Sequence, residues 1–441
     1  MLTIPEVVET MQTILGPEAD RLAQSSGWLK RQRKLSGAQF VQTLVFGYLS
    51  SPSASRAELQ QTAATLGVTV SRQALDQRCT EAAVPFLHQV LALALQQLLA
   101  AAPVEASLLA RFDGVYLLDS SVVTLPTALA SHWQGCGGRT ARTSQAAMKL
   151  SLQFDLKTGR LDGLLPQPGR THDRLAAQIH APLPPGALRV ADLGYFQLDE
   201  LKAMDRAGIG FITRYKSAAH LLNEAGQRLD VVAELERHGT AALDRIVLLG
   251  ATHRLRCRLV SVPVPEAVVD QRRQRLQAEA EDKQQPVSAL SWELARWTIY
   301  LTNVGPERLS VEDVLILGLC RWQIELVFKL WKSSGLLDVW RSQEPWHIVC
   351  EIYAKLLAML LQHWLILLGC WQWLDRSLYQ AAQVIRKQAF NLASNLHHPE
   401  ALGRALEAVC RGLATCRVGS SQRKPSTAQR LQRGLAHPPA A

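Results

Sequence analysis

The stretch G-V-Y-L-L-D-S-S-V-V-T-L, residues 114–125, decides the fold. It is apolar and β-branched, has no helical period, and reads as a buried strand with Asp119 at its centre. A carboxylate inside such a strand is costly unless it is paired or holds a metal. Further strands follow. A-M-K-L-S-L-Q-F-D-L (147–156) alternates, Thr158-Gly159-Arg160 reads as a hairpin turn, and Leu161 to Pro166 returns. T-H-D-R-L-A-A-Q-I-H (171–180) reads as a short helix. A-L-R-V-A-D-L-G-Y-F (187–196) is an apolar strand ending at Asp192, Gln197 to Ala207 a helix, and G-F-I-T-R-Y-K (210–216) a strand ending in Arg214. Three antiparallel strands, helix, strand, helix, strand is the order of a ribonuclease-H-like core. Its sheet is mixed and carries helices on its faces.

The flanks differ from this core. Residues 1 to 108 read as helical, with a basic cluster at Lys30, Arg31, Arg33 and Lys34. S-R-A-E-L-Q-Q-T-A-A-T-L, capped by Ser55, a short turn at Gly67, and S-R-Q-A-L-D-Q-R-C-T, capped by Ser71, have the form of a helix-turn-helix. Its second helix offers Arg72, Gln73, Gln77 and Arg78 to phosphates or base edges. An ordinary helical hairpin fits the same pattern. The core is read as 109–216, followed by a β-rich insertion at 217–305. That insertion holds a hairpin at 244–262, a charged helix from Val268 to Asp282 and the strand W-T-I-Y-L-T-N (297–303). Residues 306–345 return to the core with G-L-C-R-W-Q-I-E-L-V-F-K-L-W-K (318–332). Read as one helix, this places Arg321, Glu325, Phe328/Lys329 and Lys332 on one face. A helical region, 346–420, and a basic tail, 421–441, expected to be disordered, complete the chain.

Composition narrows the partners. Lys and Arg number 48 against 38 Asp and Glu, a net charge of +10, which favours an anionic partner such as nucleic acid. Eight cysteines without CxxC spacing argue against thiolate zinc and fit a reduced, cytoplasmic compartment. The N-terminus lacks the pattern of a signal peptide. The apolar run from Leu356 to Trp373 is interrupted by Gln362 and His363, and reads as a buried core helix rather than a membrane span. Two strand carboxylates, Asp119 and Asp192, and a helical one, Glu325, make a hard-oxygen set suited to Mg²⁺, with Mn²⁺ as a substitute. Two such ions are what phosphoryl transfer on DNA uses, and no protein nucleophile is then needed.

L-D-S-S-V-V-T-L around Asp119, A-D-L-G-Y-F around Asp192 and R-W-Q-I-E-L-V-F-K-L-W-K around Glu325 together resemble the cut-and-paste DDE transposases of the bacterial insertion-sequence-four family. The resemblance covers roughly residues 30 to 400. The separations, 73 residues from Asp119 to Asp192 and 133 from Asp192 to Glu325, leave room for that family's inserted β-domain. The family's helix signature is Tyr, two residues, Arg, three residues, Glu, six residues, Lys, and Arg321, Glu325 and Lys332 match its spacing.

The resemblance implies that Asp119, Asp192 and Glu325 are a metal-binding catalytic triad. It implies that Arg321 and Lys332, with Lys329 beside them, grip the DNA backbone, and it makes Arg214 a further phosphate contact. It also implies that an aromatic of the insertion, Trp297 or else Trp292, stacks on a flipped base, although a Trp in a strand serves equally as core. The implied partners are double-stranded DNA, both transposon ends and target, and a second copy of the chain. Two positions depart from the pattern: Gly318 stands where the signature has Tyr, and Leu193 where many relatives carry a basic residue. A catalytically inactive DNA-binding relative and a nuclease that never joins strands are the competing readings.

Overall fold

The structure is a computed structural model and describes residues 2–31, 35–137, 145–176, 180–418 and 430–431. The basic residues Arg33 and Lys34 lie outside the described residues, as does the tail from 421 apart from Arg430 and Leu431. The fold is mixed α/β, and the chain divides into two compact units, each assembled from separate stretches.

The first unit comprises Met1–Val104, Asp119–Ala181 and Gln323–Ser421. Its N-terminal helices begin where the sequence provides caps. Ser36 with Gln39 and Ser55 with Glu58 close reciprocal capping boxes at helices Gly37–Ser50 and Arg56–Thr65. The helix Pro345–Gly369 runs through the core, and every residue from Ile348 to Leu367 is buried. It packs against helices Gly37–Ser50, Ala83–Gln96 and Pro399–Leu413. By length and composition it could cross a membrane, but protein covers 94% of its apolar window.

The strands of this unit are β2 (Ala146–Asp155) and β3 (Leu161–Pro168), paired antiparallel, and the second half of β1 (Val115–Leu125), in the order β3-β2-β1. The β2–β3 turn is pressed onto the long helix. Gly159 has φ +73°, and a Cβ there would lie 2.6 Å from the Trp371 ring, so only glycine fits. His363 donates from Nε2 to the Gly159 carbonyl at 2.7 Å, and the Trp371 indole donates to the Lys157 carbonyl at 3.2 Å. Of the helix expected over 171–180, the described residues hold the turn Asp173–Ala176, and residues 177–179 lie outside the described residues.

The second unit comprises Glu105–Leu118 and Pro182–Trp322, with Arg430 and Leu431. The first half of β1 runs parallel to β4 (Leu188–Ala191), and β4 parallel to β5 (Gly210–Arg214). From β5 the sheet continues antiparallel through β9 (Trp297–Thr302), β8 (Leu255–Pro263), β7 (Leu243–Leu249) and the two-residue β6 (Leu221–Leu222). The helix between β4 and β5, Leu198–Arg206, buries Leu201 and Met204 in a core shared with Phe211, Val247, Leu259 and Leu301. Arg258, 3% exposed, is one of the buried charges here. It makes a two-pronged pair with Asp244 (3.0 and 2.7 Å) and donates to the carbonyls of Val304 (2.9 Å) and Leu309 (2.7 Å). It thereby fixes to β8 the loop that leads into helix Val311–Cys320. The charged helix of this region, Glu266–Lys283, extends slightly beyond its expected bounds.

The single helix expected over 318–332 is two. Helix Val311–Cys320 ends before Arg321, and helix Trp322–Ser333 begins after it. The break falls just past Gly318, the residue in this run that holds helical backbone least firmly.

His363 makes the first unit sensitive to acid. Burial pushes its pKa from 6.5 down to about 4, so the imidazole is neutral in the fold. As pH falls below about 6.5 the unfolded chain takes up the proton first, and stability drains away until about pH 4, by on the order of 3 kcal/mol at the limit. Urea midpoints measured at pH 7.5 and pH 5 should therefore differ, and His363→Phe should narrow that difference. An unchanged gap in the variant would assign the acid sensitivity to other groups.

Candidate active site

The strand β1 carries its first acid where burial ends. Val115 to Leu118 are buried, whereas Asp119, Ser120 and Ser121 are half-buried. The Asp119 Oδ1 accepts the Ser120 backbone N–H at 2.8 Å. The Ser120 hydroxyl donates to Asp173 Oδ1 at 3.0 Å. The same Asp173 oxygen takes the ammonium of Lys149 at 2.8 Å, and that ammonium also donates to the Thr171 carbonyl at 2.6 Å. Lys149 is 8% exposed on β2. Its charge is matched by Asp173, one hydroxyl removed from Asp119. This Lys149–Asp173 pair went unread in the sequence. The signal for it is a lysine inside the apolar strand A-M-K-L-S-L, a cation that had to find a partner.

Asp192 sits at the end of the neighbouring strand. The β1–β4 register pairs Leu118 with Ala191, so Asp119 and Asp192 are each the residue next after a paired position on adjacent parallel strands. Asp192 is half-buried and leads into a 3-10 turn, Leu193–Tyr195, rather than continuing the strand to 196.

Glu325 is half-buried in the first turn of helix Trp322–Ser333. Ile324, Val327, Phe328, Leu330 and Trp331 form the buried side of that helix, so Phe328 belongs to the packing face and not to the charged one. At the other end, Lys332 donates its ammonium to the Val122 carbonyl at 2.8 Å, three residues past Asp119. The helix of Glu325 is thus fastened to the Asp119 half of β1, within one unit. Lys329 is exposed. Among the described residues no three His, Cys, Asp or Glu side chains cluster closely enough to hold a metal ion. The chemistry of the donors nonetheless suits a hard cation. All three candidates are carboxylates.

The cationic candidates fall in several places. Arg214 is exposed at the end of β5. Its register partner on β9 is Tyr300, whose phenol its charge reaches. Arg321 is half-buried at the joint between the two helices, and the Trp322 side chain beside it is 56% exposed. Trp297 is 7% exposed within the second unit's core, and its carbonyl accepts from Arg272 at 2.7 Å. It has no ring face to offer a base. Trp292 is half-buried with the Arg273 guanidinium over its ring.

In the N-terminal region, Ser71 caps a second helix that is only five residues long, Arg72–Asp76. Arg72 is exposed and donates to Gln60 at 3.2 Å. With Gln73, Arg56, Arg341 and Glu344 it lines a groove of about 860 Å³. Arg78 lies beyond that helix, with its guanidinium over the Trp28 ring.

Known proteins resemble this chain across most of its length. The model of the transposase DDE domain matches residues 110–361, more than half of the chain. The transposase for insertion sequence element IS231F of Bacillus thuringiensis subsp. israelensis is 29% identical, over 80% of this chain and 78% of the relative. The transposase for IS1151 of Clostridium perfringens is 26% identical over 78% and 76%, and that for IS421 of Escherichia coli 26% identical over 78% and 89%. The matched span holds Asp119, Asp192, Glu325 and the helix fastened by Lys332, and the chain belongs to the DDE-domain transposases of the insertion-sequence-four type.

Proposed function

We propose that this chain binds the terminal inverted repeats of an insertion sequence, cuts them free by hydrolysis and joins their 3′-hydroxyls to target DNA. The observation that carries the reading is the register of β1 on β4. Its last pair is Leu118 with Ala191, and Asp119 and Asp192 are the residues that follow, which supports reading them as the two strand carboxylates of a ribonuclease-H-like core. The bond from Lys332 to Val122 supports it by holding the Glu325 helix on the same strand.

On this reading Asp119, Asp192 and Glu325 would hold Mg²⁺, or Mn²⁺ in its place. The bound cation would neutralise charge at the scissile phosphate and favour ionisation of the attacking water or 3′-hydroxyl. The protein's own groups position the strand. Lys332 uses one donor on Val122 and keeps two for a phosphate oxygen, and Arg321, Lys329 and Arg214 add contacts of the same kind. Trp322 offers an exposed ring on which a base can stack. Arg72 and Gln73 would meet duplex DNA from the N-terminal region. Two ends must be cut together, which calls for a homodimer on DNA, in the cytoplasm and at the nucleoid.

Asp119→Ala should lower Mg²⁺-dependent cleavage of a terminal-repeat duplex about 10³-fold, the equivalent of several kcal/mol, with end binding within about twofold of wild type. Undiminished cleavage by the variant would refute the assignment. A precut end separates transposase from simple nuclease, because only a transposase joins it to a second duplex. Lys332→Met should reduce the slope of log affinity against log salt by about 0.9, one phosphate contact. An unchanged slope would remove Lys332 from the DNA interface.

A further inference from the structure

The buried strand β2 alternates polar and apolar side chains. Lys149, Ser151 and Gln153 lie between Met148, Leu150, Leu152 and Phe154, and a period of two puts the two sets on opposite faces. None of the three polar residues is more than 8% exposed, so each needs a partner. All three find it in the segment that follows β3. The Lys149 ammonium donates to the Thr171 carbonyl at 2.6 Å and to Asp173 Oδ1 at 2.8 Å. Ser151 Oγ hydrogen-bonds His180 Nε2 at 2.9 Å, and Gln153 Nε2 donates to the Ala181 carbonyl at 3.2 Å. Residues 171, 173, 180 and 181 are thereby held on β2, within one unit.

One of these contacts continues to the neighbouring strand. Asp173 Oδ1 takes the Lys149 ammonium and also the Ser120 hydroxyl, the latter at 3.0 Å. Ser120 is on β1, beside β2 in the sheet, and its backbone N–H donates to Asp119 Oδ1 at 2.8 Å. Ser120 is thus fixed twice, by its hydroxyl to Asp173 and by its amide to Asp119. The anchor at the far end is firm. If Asp173 moved away, Lys149 would lose its charge partner, and an unpaired buried ammonium is costly. An amide fixed in this way favours one rotamer of Asp119. A carboxylate already held in one rotamer has less freedom to lose when it binds a cation.

We infer that Lys149, Asp173 and Ser120 are positioning residues, a hydrogen-bonded chain that presets the Asp119 carboxylate for a divalent cation. The inference rests on the reading of Asp119 as a ligand of that cation. Lys149 anchors Asp173, Asp173 orients Ser120, and the Ser120 amide orients Asp119. The three act through Asp119 and need not touch the DNA.

The test reads Mn²⁺ bound to the protein in complex with a precut terminal-repeat duplex, by electron paramagnetic resonance. DNA affinity and the thermal midpoint are measured alongside. Ser120→Ala removes the hydroxyl and leaves the amide. It should weaken Mn²⁺ binding about tenfold, with DNA affinity and thermal midpoint nearly unchanged. Ser120→Thr keeps the hydroxyl on a side chain suited to a strand and should return Mn²⁺ affinity to that of wild type. Lys149→Met combined with Asp173→Ala removes the charge pair together, so neither charge is stranded. That double variant should also lose about tenfold, and adding Ser120→Ala to it should cost nothing more, because members of one hydrogen-bonded chain are not additive. Wild-type Mn²⁺ affinity in Ser120→Ala, or losses that add in the triple variant, would overturn the inference. Asp119→Ala separates that failure from failure of the underlying reading. Mn²⁺ affinity unchanged in Asp119→Ala would remove Asp119 from the cation site, and the inference with it. Mn²⁺ affinity lost in Asp119→Ala but kept in Ser120→Ala would remove the positioning role alone.

Discussion

A buried ammonium has three hydrogen-bond donors to satisfy, and Lys355 meets that demand in a way that orders the first unit. It is 1% exposed in the middle of the long core helix. It pairs with Glu351 one turn earlier (2.7 Å) and donates to the carbonyls of Leu336 (2.9 Å) and Val339 (2.6 Å). Those carbonyls belong to the loop that leaves the Glu325 helix. Unpaired, such a charge would cost several kcal/mol, so the loop is held in place by the price of leaving the lysine alone. Lys332 fastens the same helix to β1 through another carbonyl. Between these two ammonium groups the helix that carries Glu325 is fixed at its C-terminal end.

The second unit solves the same problem with guanidiniums. Arg258 is bonded on four sides and steadies the loop before helix Val311–Cys320. Arg272 is likewise bonded to backbone. Structural arginines are saturated by carbonyls and carboxylates, whereas Arg214 ends at solvent with a phenol as its neighbour. That contrast separates arginines that hold the fold from one left at the surface, a distinction that net charge alone cannot draw.

Much of this was legible in the sequence because the signals are local. The apolar β-branched run around Asp119 is β1, the alternating run after residue 146 is β2, and the hairpin at 244–262 is β7 and β8. The serines at 55 and 71 cap the helices they precede. What escaped depends on partners distant in the chain. The run 318–332 has no helix breaker except its first residue, so its periodicity reads as one helix. The ring that crowds Gly318 comes from β9, and nothing within the run announces it. Trp297 was placed on a strand correctly, but β9 is covered on both faces, and a period of two cannot tell a presented ring from a buried one. Lys149 and Asp173 are 24 residues apart and meet only once the hairpin has formed. The family match spans all three carboxylates, which lie far apart in the chain.

The most direct measurement is to map a bound metal on the polypeptide itself. Fe²⁺ replaces Mg²⁺ in hard-oxygen sites, and with ascorbate and peroxide it cuts the backbone beside the ion. In the DNA-bound protein, cuts are predicted next to residues 119, 192 and 325, all suppressed together by excess Mg²⁺. Cuts confined to other segments, or cuts at one of the three that persist when either of the other carboxylates is replaced by alanine, would contradict a shared site of Asp119, Asp192 and Glu325.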